Sequence, residues 1–308
     1  MPQGSILGPL LFILYINDLP NCSNIIHSLL FADDTSLFIS GKDIDELFQI
    51  MNDELTKVIE WIECNKLSLN IKKTKVMIFA SKRKQIRSDL AISIKGESIE
   101  RVREIKFLGV ILDDRLSWVA NIQSIKNKMA KNIGLLCRAR KILAIPTLVM
   151  LYNTFIHPYL IYCIEIWGSA NESSLCLLLR IQKKAIRIIS SVHPRAHTEM
   201  LFTKYNILNV YRLFQYMLAV FMFKHHRKKL PQVCSNLFTS NEEIHNYNTR
   251  QKTWLHVPVS TSTAHMKTVR FMGVKLWNKL SSKNIELKCS IFTFKRHLKK
   301  HLMIKSLL

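Results

Sequence analysis

Apolar and polar positions alternate with two different periods along the chain, and the change of period divides it. An almost unbroken apolar run, Leu10-Leu11-Phe12-Ile13-Leu14-Tyr15-Ile16, continues through Asn17-Asp18 to Leu19. Gly8 and Pro9 precede it, which predicts a helix over Leu10 to Leu19 with Pro9 at the first helical position and most faces buried. Two strand-like segments follow, His27 to Ala32 and Thr35 to Ser40, with Asp33-Asp34 between them. They predict a β-hairpin, Leu29 to Ile39, with the acids at its tip. From Asp43 to Cys64 the period becomes helical: Ile44, Phe48, Met51, Leu55, Val58 and Ile62 recur at steps of four and three, and Asp43 stands where a cap belongs, with Glu46 three residues on. That stripe is core packing.

A polar turn, Asn65 to Asn70, leads through Lys72-Lys73-Thr74-Lys75 into a predicted strand, Val76 to Ala80. Ala91 to Ile99 predicts a second hairpin and Ile105 to Leu112 a last strand. Beyond Asp113 strands thin out. Val119 to Leu143 sets Ile122, Ile125, Met129, Ile133 and Leu136 on one face and most of its Lys and Arg elsewhere; Leu175 to Ile189 repeats the arrangement. Tyr211 to Phe223 is aromatic-rich, its rings better suited to a core than to stacking on bases. The tail is turn-rich, with a loop at His245 to Arg250 and a final basic helix at Ile291 to Leu302. Val149 to Trp167 is superficially membrane-like, but Asn153, His157, Pro158 and Glu165 interrupt it, so it reads as a buried helix pair.

Charge follows the same division. The 308 residues carry a formal +23. Residues 1 to 80 hold 6 Lys/Arg against 10 Asp/Glu, leaving −4, whereas residues 81 to 308 hold 39 against 12, leaving +27. A surplus of that size on one part of a chain marks a polyanionic partner, above all nucleic acid. A hydrophobic content of 48% excludes global disorder. Seven cysteines are scattered with no C-x-x-C and no zinc spacing, which points to a reducing compartment and away from a structural metal. Met1 runs directly into Pro2-Gln3-Gly4 without a basic leader, so no signal peptide is expected.

Candidate chemistry centres on Asp33 and Asp34. Two adjacent carboxylates inside an apolar run repel unless a counter-charge joins them, and hard oxygen ligands of this kind suit Mg²⁺. The plainer reading is an Asp-Asp turn facing water. Clustered lysines entering a strand are ordinarily solvated, yet beside a polyphosphate they would serve as point charges or as a proton donor. Gln3-Gly4-Ser5 reads as a loop feeding the first helix, where glycine lets a ligand or another backbone approach.

With these residues in place the chain resembles the C-terminal portion of the reverse transcriptases of non-LTR, LINE-type retrotransposons, jockey-like elements in particular. Pro2-Gln3-Gly4-Ser5 through Leu7-Gly8-Pro9 and Tyr15-Ile16-Asn17-Asp18 is similar to the family's motif B, and Phe31-Ala32-Asp33-Asp34 to motif C. Asn65 to Asn70 with Lys72 to Lys75 is similar to motif D, and Phe107-Leu108-Gly109-Val110 to motif E, the primer grip. Pro158-Tyr159-Leu160, Ile166-Trp167-Gly168, Tyr247-Asn248-Thr249-Arg250 and Leu276-Trp277-Asn278 extend the resemblance over essentially the whole chain.

The resemblance implies an RNA-directed DNA polymerase in which Asp33 is the principal Mg²⁺ ligand and Asp34 its partner. Gln3 and Gly4 would line the nascent base pair, Lys73 would lie near the leaving pyrophosphate, and Phe107, Leu108 and Gly109 would hold the primer end. Lys72 and Lys75 are placed as well as Lys73 by sequence. In the family a third aspartate, in motif A, and the fingers precede motif B, and this chain begins at motif B. The expectation is therefore a fragment of α+β class: a partial palm over residues 1 to 115, a helical thumb-like region over 116 to 225 and a basic region over 226 to 308. Its partners would be an RNA template, a DNA primer, deoxynucleoside triphosphates in the intact enzyme and the missing N-terminal half, with no membrane, in the nucleus or cytoplasm. The rival reading is a non-catalytic nucleic-acid-binding remnant of a truncated element.

Overall fold

The computed structural model describes residues 5–81, 84, 86–87, 89–244, 247, 251–281 and 289–304. The chain forms two units, Met1–Ile105 with Asp113–Leu116, and Lys106–Leu112 with Ser117–Leu308. Charge separates with them: the first holds 14 Lys/Arg against 16 Asp/Glu and the second 31 against 6. The whole positive surplus therefore belongs to the second unit.

The first unit is mixed α and β. Helix α1 (Leu7–Ile16) is followed by a 3-10 turn (Leu19–Cys22), the hairpin strands β1 (His27–Phe31) and β2 (Asp34–Phe38), and helix α2 (Ile44–Cys64). Short strands β3 (Lys75–Val76), β4 (Ser93–Ile94), β5 (Glu97–Ser98) and β6 (Glu100–Arg101) complete it. Helix α2 starts where the sequence says, because Asp43 Oδ1 accepts from the amides of Asp45 (2.8 Å) and Glu46 (3.3 Å), and Asp45 and Glu46 suit the positive end of the helix. Its stripe divides between two clusters: Phe48 and Leu55 pack with Ile92, Ile94 and Ile99, and Val58 packs with Ile16 and Leu19. Burial of each large side chain contributes roughly 1.5–3 kcal/mol. Asn52 adds a polar strap, donating to Ala91 O (3.2 Å) and accepting from the Ser93 amide (2.9 Å). The β4–β5 hairpin is the one expected within Ala91 to Ile99.

Three expectations are corrected here. Helix α1 begins at Leu7, leaving Pro9 inside its first turn, and it is not buried on most faces: Leu7, Leu10, Leu11, Ile13 and Leu14 are 48–65% exposed, and only Ile16 is buried. The run is apolar all round, but among the described residues only Phe12 and Ile16 join an apolar cluster of the unit. Val76 to Ala80 does not form a five-residue strand. Only Lys75 and Val76 pair, in parallel with Glu100 and Arg101, and the Val102 amide closes the ladder on Val76 O. Ile105 to Leu112 is not one strand but a hairpin, β7 (Glu104–Phe107) and β8 (Val110–Asp113), because Leu108 and Gly109 take left-handed φ values of 43° and 87° and turn the chain back.

The second unit is helical: α3 (Val119–Ala139), α4 (Ile145–Phe155), α5 (His157–Ile161), α6 (Ile164–Trp167), α7 (Glu172–Ile189), α8 (Glu199–Lys204), α9 (Val210–His226), α10 (Asn241–Ile244), α11 (Thr263–Met266), α12 (Val269–Ser281) and α13 (Ile291–Ile304). Helix α9 is its centre, touched by α5, α6, α7, α12 and α13, and Phe214, Leu218, Met222 and Phe223 are buried along it. Phe223 stacks on Phe294 of α13 at 4.3 Å between ring centres. The aromatic-rich helix is thus core, as its pattern suggests.

Val149 to Trp167 is not a helix pair. It lies in three helices broken at Ile156, just before His157-Pro158 opens the next helix, and at Tyr162-Cys163, where Cys163 takes a φ of 53°. Tyr152, Ile156, Leu160, Ile164 and Trp167 line one side and are fully buried; Phe155, Tyr159, Tyr162 and Ile166 on the other side are exposed. Among the described residues no helix is long and apolar enough to cross a membrane. His245, Asn246, Asn248, Thr249 and Arg250 of the expected tail loop lie outside the described residues.

Candidate acidic hairpin and basic faces

The hairpin is in register from His27 opposite Phe38 to Phe31 opposite Asp34, so the connection is the two residues Ala32 and Asp33. Ala32 adopts a φ of 51°, which a residue with a Cβ takes up at a cost of roughly 1–2 kcal/mol. Strained turns of this kind gather at functional sites. Alternation then fixes what faces where. Leu30 and Leu37 turn inward onto the Ile16, Leu19 and Val58 cluster, while Leu29, Phe31 and Phe38 are 46–60% exposed on the other face. Asp33 and Asp34 are both exposed. The sequence placed these acids correctly at the hairpin's tip.

Around the hairpin the first unit draws several motif residues together. Tyr15 at the end of α1 donates its hydroxyl to Asn65 O, so the motif B helix is tied to the start of the motif D turn. Trp61 Nε1 donates to Asp18 Oδ2 at 3.3 Å, and Asn65 Nδ2 donates back to Trp61 O at 2.9 Å. Helix α2 is therefore a scaffold for both motifs. Trp61 carried no sequence signal beyond being a large aromatic with a polar tip, a type that seeks a partner when packed.

Lys73 lies in the turn after Asn70, its amide donating to Asn70 O (3.1 Å) and Oδ1 (3.2 Å), with an exposed side chain. Lys72 is exposed as well, whereas Lys75 pairs with Glu100. Gln3 and Gly4 lie outside the described residues. Among the described residues no three His, Cys, Asp or Glu side chains converge as a metal site. Two adjacent carboxylates are nonetheless the right donors for Mg²⁺, which keeps several waters and is commonly held by one or two carboxylates together with substrate phosphates.

The remaining candidates are in the second unit. Phe107, Leu108 and Gly109 form the end of β7 and the turn into β8, and Phe107 and Leu108 are half-buried. Val110 is buried beside Trp118 and Ile122 in the main core, and the Ile111 amide donates to Asn121 Oδ1 at 3.1 Å. The same unit carries the basic faces. Helix α3 buries Ile122, Ile125, Met129, Ile133 and Leu136 and exposes Lys128, Lys131 and Arg138; α7 exposes Arg180 and Lys184. Lys128 lies 5.7 Å over the ring of Tyr159. No disulfide joins any of the cysteines among the described residues.

Residues 1–112 match the family model described as reverse transcriptase (RNA-dependent DNA polymerase). The chain is 29% identical over 201 residues to the RNA-directed DNA polymerase from mobile element jockey of Drosophila funebris, covering 62% of this chain and 22% of that protein. It is 29% identical over 198 residues to the probable RNA-directed DNA polymerase from transposon X-element of Drosophila melanogaster, covering 62% and 21%. A Pol polyprotein from type-1 retrotransposable element R1 2 of Nasonia vitripennis is 25% identical over 177 residues, covering 54% and 42%. The matched stretch spans about a fifth of the length of the first two relatives. No solved structure matches the chain.

Proposed function

We propose that the chain, which is similar to the reverse transcriptases of non-LTR mobile elements, is a portion of an RNA-directed DNA polymerase carrying the acidic palm hairpin, the primer-contacting turn and a thumb-like helical region. The observation that carries this reading is the coincidence of the reverse transcriptase match over residues 1–112 with a hairpin that holds Asp33 and Asp34 at its turn. The reaction is attack of a primer 3′ hydroxyl on the α-phosphate of a deoxynucleoside triphosphate paired to an RNA template. Mg²⁺ would supply charge neutralisation at the phosphates and activation of the hydroxyl. Asp33 is assigned as its principal ligand and Asp34 as the partner, with a third carboxylate contributed by sequence beyond this segment.

The other roles follow the same assignment. Lys73 faces the leaving pyrophosphate, and its exposed side chain beside an exposed Lys72 suits a polyphosphate. Gln3 and Gly4 line the nascent base pair. Phe107, Leu108 and Gly109 hold the primer end. The division proposed is a partial palm over residues 1 to 115, a thumb-like region over 116 to 225 and a basic region over 226 to 308, acting inside the cell, in the nucleus or cytoplasm. With 31 Lys/Arg against 6 Asp/Glu, the second unit supplies most of the attraction for the RNA template and DNA primer.

A second reading is a nucleic-acid-binding remnant without catalysis, for which the charge of the second unit, 31 Lys/Arg against 6 Asp/Glu, would suffice. Binding separates from chemistry in a titration of the chain with an RNA–DNA duplex at several salt concentrations. Affinity should fall about 10³-fold or more between 50 and 200 mM salt, as for a protein neutralising six or more phosphates. A salt-independent affinity, or none, would remove the nucleic-acid role altogether.

A further inference from the structure

The turn at Leu108-Gly109 is held by a residue that no motif includes. Tyr162 donates its hydroxyl to Leu108 O. Its ring lies so close across Gly109 that an added Cβ would stand 3.2 Å from Cε1 and 3.3 Å from the hydroxyl oxygen. This glycine therefore does two things: its φ of 87° lets the chain reverse, and its missing side chain admits the tyrosine.

Tyr162 is itself fixed by the break in the α5–α6 segment. Its ψ of 111° ends α5, Cys163 in the left-handed region restarts the chain as α6, and Tyr162 O accepts from Trp167 Nε1 at 2.8 Å. Trp167 is fully buried in the main core. A continuous helix would have spent that carbonyl on an intrahelical bond and pointed residue 162 elsewhere. Two residues past the turn, Asn121 of α3 holds the Ile111 amide. The turn and the strand after it are thus tied at two points to helices of the core, one of them through Tyr162, which is 51% exposed.

We propose that Tyr162 is a positioning residue for the primer-contacting turn: it locks the Leu108-Gly109 backbone against the helical core so that the turn presents one fixed shape to the primer end. The inference rests on the assignment of that turn to primer contact. An ordinary surface tyrosine capping a carbonyl would stabilise the fold without affecting where a bound primer end sits.

The test uses the full chain and a primer–template duplex bearing 2-aminopurine at the primer 3′ end. Amide exchange of Leu108, Gly109 and Val110 is read beside duplex affinity and the fluorescence of the terminal base on binding. Tyr162→Phe keeps the ring and removes one hydrogen bond, so exchange in the turn should accelerate about fivefold, the usual net worth of such a bond. Affinity, set by the basic faces, should stay within twofold, while the fluorescence change at the primer end is lost. Gly109→Ala, which pushes the turn off the same ring and also alters the primer-holding turn itself, should accelerate exchange at Leu108 and Val110 and abolish the terminal-base response, with no constraint placed on its affinity. Unchanged exchange in Tyr162→Phe overturns the strut. Faster exchange with a wild-type fluorescence change reduces Tyr162 to a structural cap and overturns its positioning role. If the wild-type chain binds the duplex without any change at the terminal base, the assignment of the turn to primer contact fails, and the inference with it, even where exchange responds.

Discussion

Gln182 is the most exposed point in the energetics of the helical unit, although it is wholly buried. Its Nε2 donates to Tyr152 Oη at 2.9 Å and lies 3.3 Å from Leu208 O, while its Oε1 accepts from the Val210 amide at 2.8 Å. One side chain on α7 thereby satisfies the tyrosine of α4 and the first amide of α9, whose first four amides have no intrahelical acceptor. Gln182→Met conserves volume and removes every one of these bonds. It leaves a buried N–H, a buried carbonyl and a buried hydroxyl, each costing roughly 1–3 kcal/mol without a partner. Taking the low end for the N–H and the carbonyl, and letting the hydroxyl relax, the loss is about 2 kcal/mol, against a total of roughly 5–15 kcal/mol for a domain. At about 2–4 °C per kcal/mol for a unit of this size, thermal unfolding followed by circular dichroism should move down by about 6 °C. Tyr152→Phe, which orphans one amide proton only, should cost about 1–2 kcal/mol, and its effect in the Gln182→Met background should shrink to near zero. A Gln182→Met shift under about 2 °C, or full additivity with Tyr152→Phe, would refute the view that this network joins α4, α7 and α9.

Other positions give independent checks. Gly168→Ala places a Cβ 2.3 Å from Phe214 Cδ2 and 2.5 Å from Ile164 O, so it should destabilise by about 3 kcal/mol in urea denaturation through overpacking alone, while Gly96→Ala, with open space but a φ of 79°, should cost about 1 kcal/mol. The His157 imidazole is held below its ordinary value first by burial and then by Lys299 of α13, and its Nδ1 has no hydrogen-bond partner. The unfolded chain then binds the proton more readily than the folded one, so stability is level above about pH 6.5 and falls as pH drops below it, and His157→Leu should flatten that slope when urea midpoints are compared at several pH values. Leu10→Lys with Leu14→Lys, on the exposed face of α1, should reduce light scattering of concentrated protein with a change in melting temperature of no more than about 2 °C.

Legibility followed the physics of each segment. The acidic hairpin and helices α2, α3, α7, α9 and α13 were readable because their periods are regular and, for α2, because Asp43 caps it visibly. The Ile105 to Leu112 stretch failed as a single strand because only the pair of left-handed residues, one of them a leucine, reveals the turn. The exposure of α1 was hidden because an all-apolar run carries no information about which side has a partner. At the site, Asp33 and Asp34 stood out as two acids between apolar strand segments, and Phe107, Leu108 and Gly109 were marked by motif resemblance although read as strand, whereas Tyr162 carried no signal. Its role depends on a helix break and on Trp167 five residues on, a relation that only three dimensions make visible.

The central claim is that Asp33 belongs to a polymerase metal site, and primer extension tests it most directly. The polymerase sequence that precedes the matched segment in the jockey relative would be placed ahead of this chain and assayed with Mg²⁺, an RNA template and a DNA primer, beside the 308-residue chain alone. The account predicts no extension by the chain alone, extension by the joined protein, and loss of that extension in Asp33→Ala with duplex affinity unchanged. Extension by the chain alone, or extension by the joined protein that survives Asp33→Ala, would contradict it.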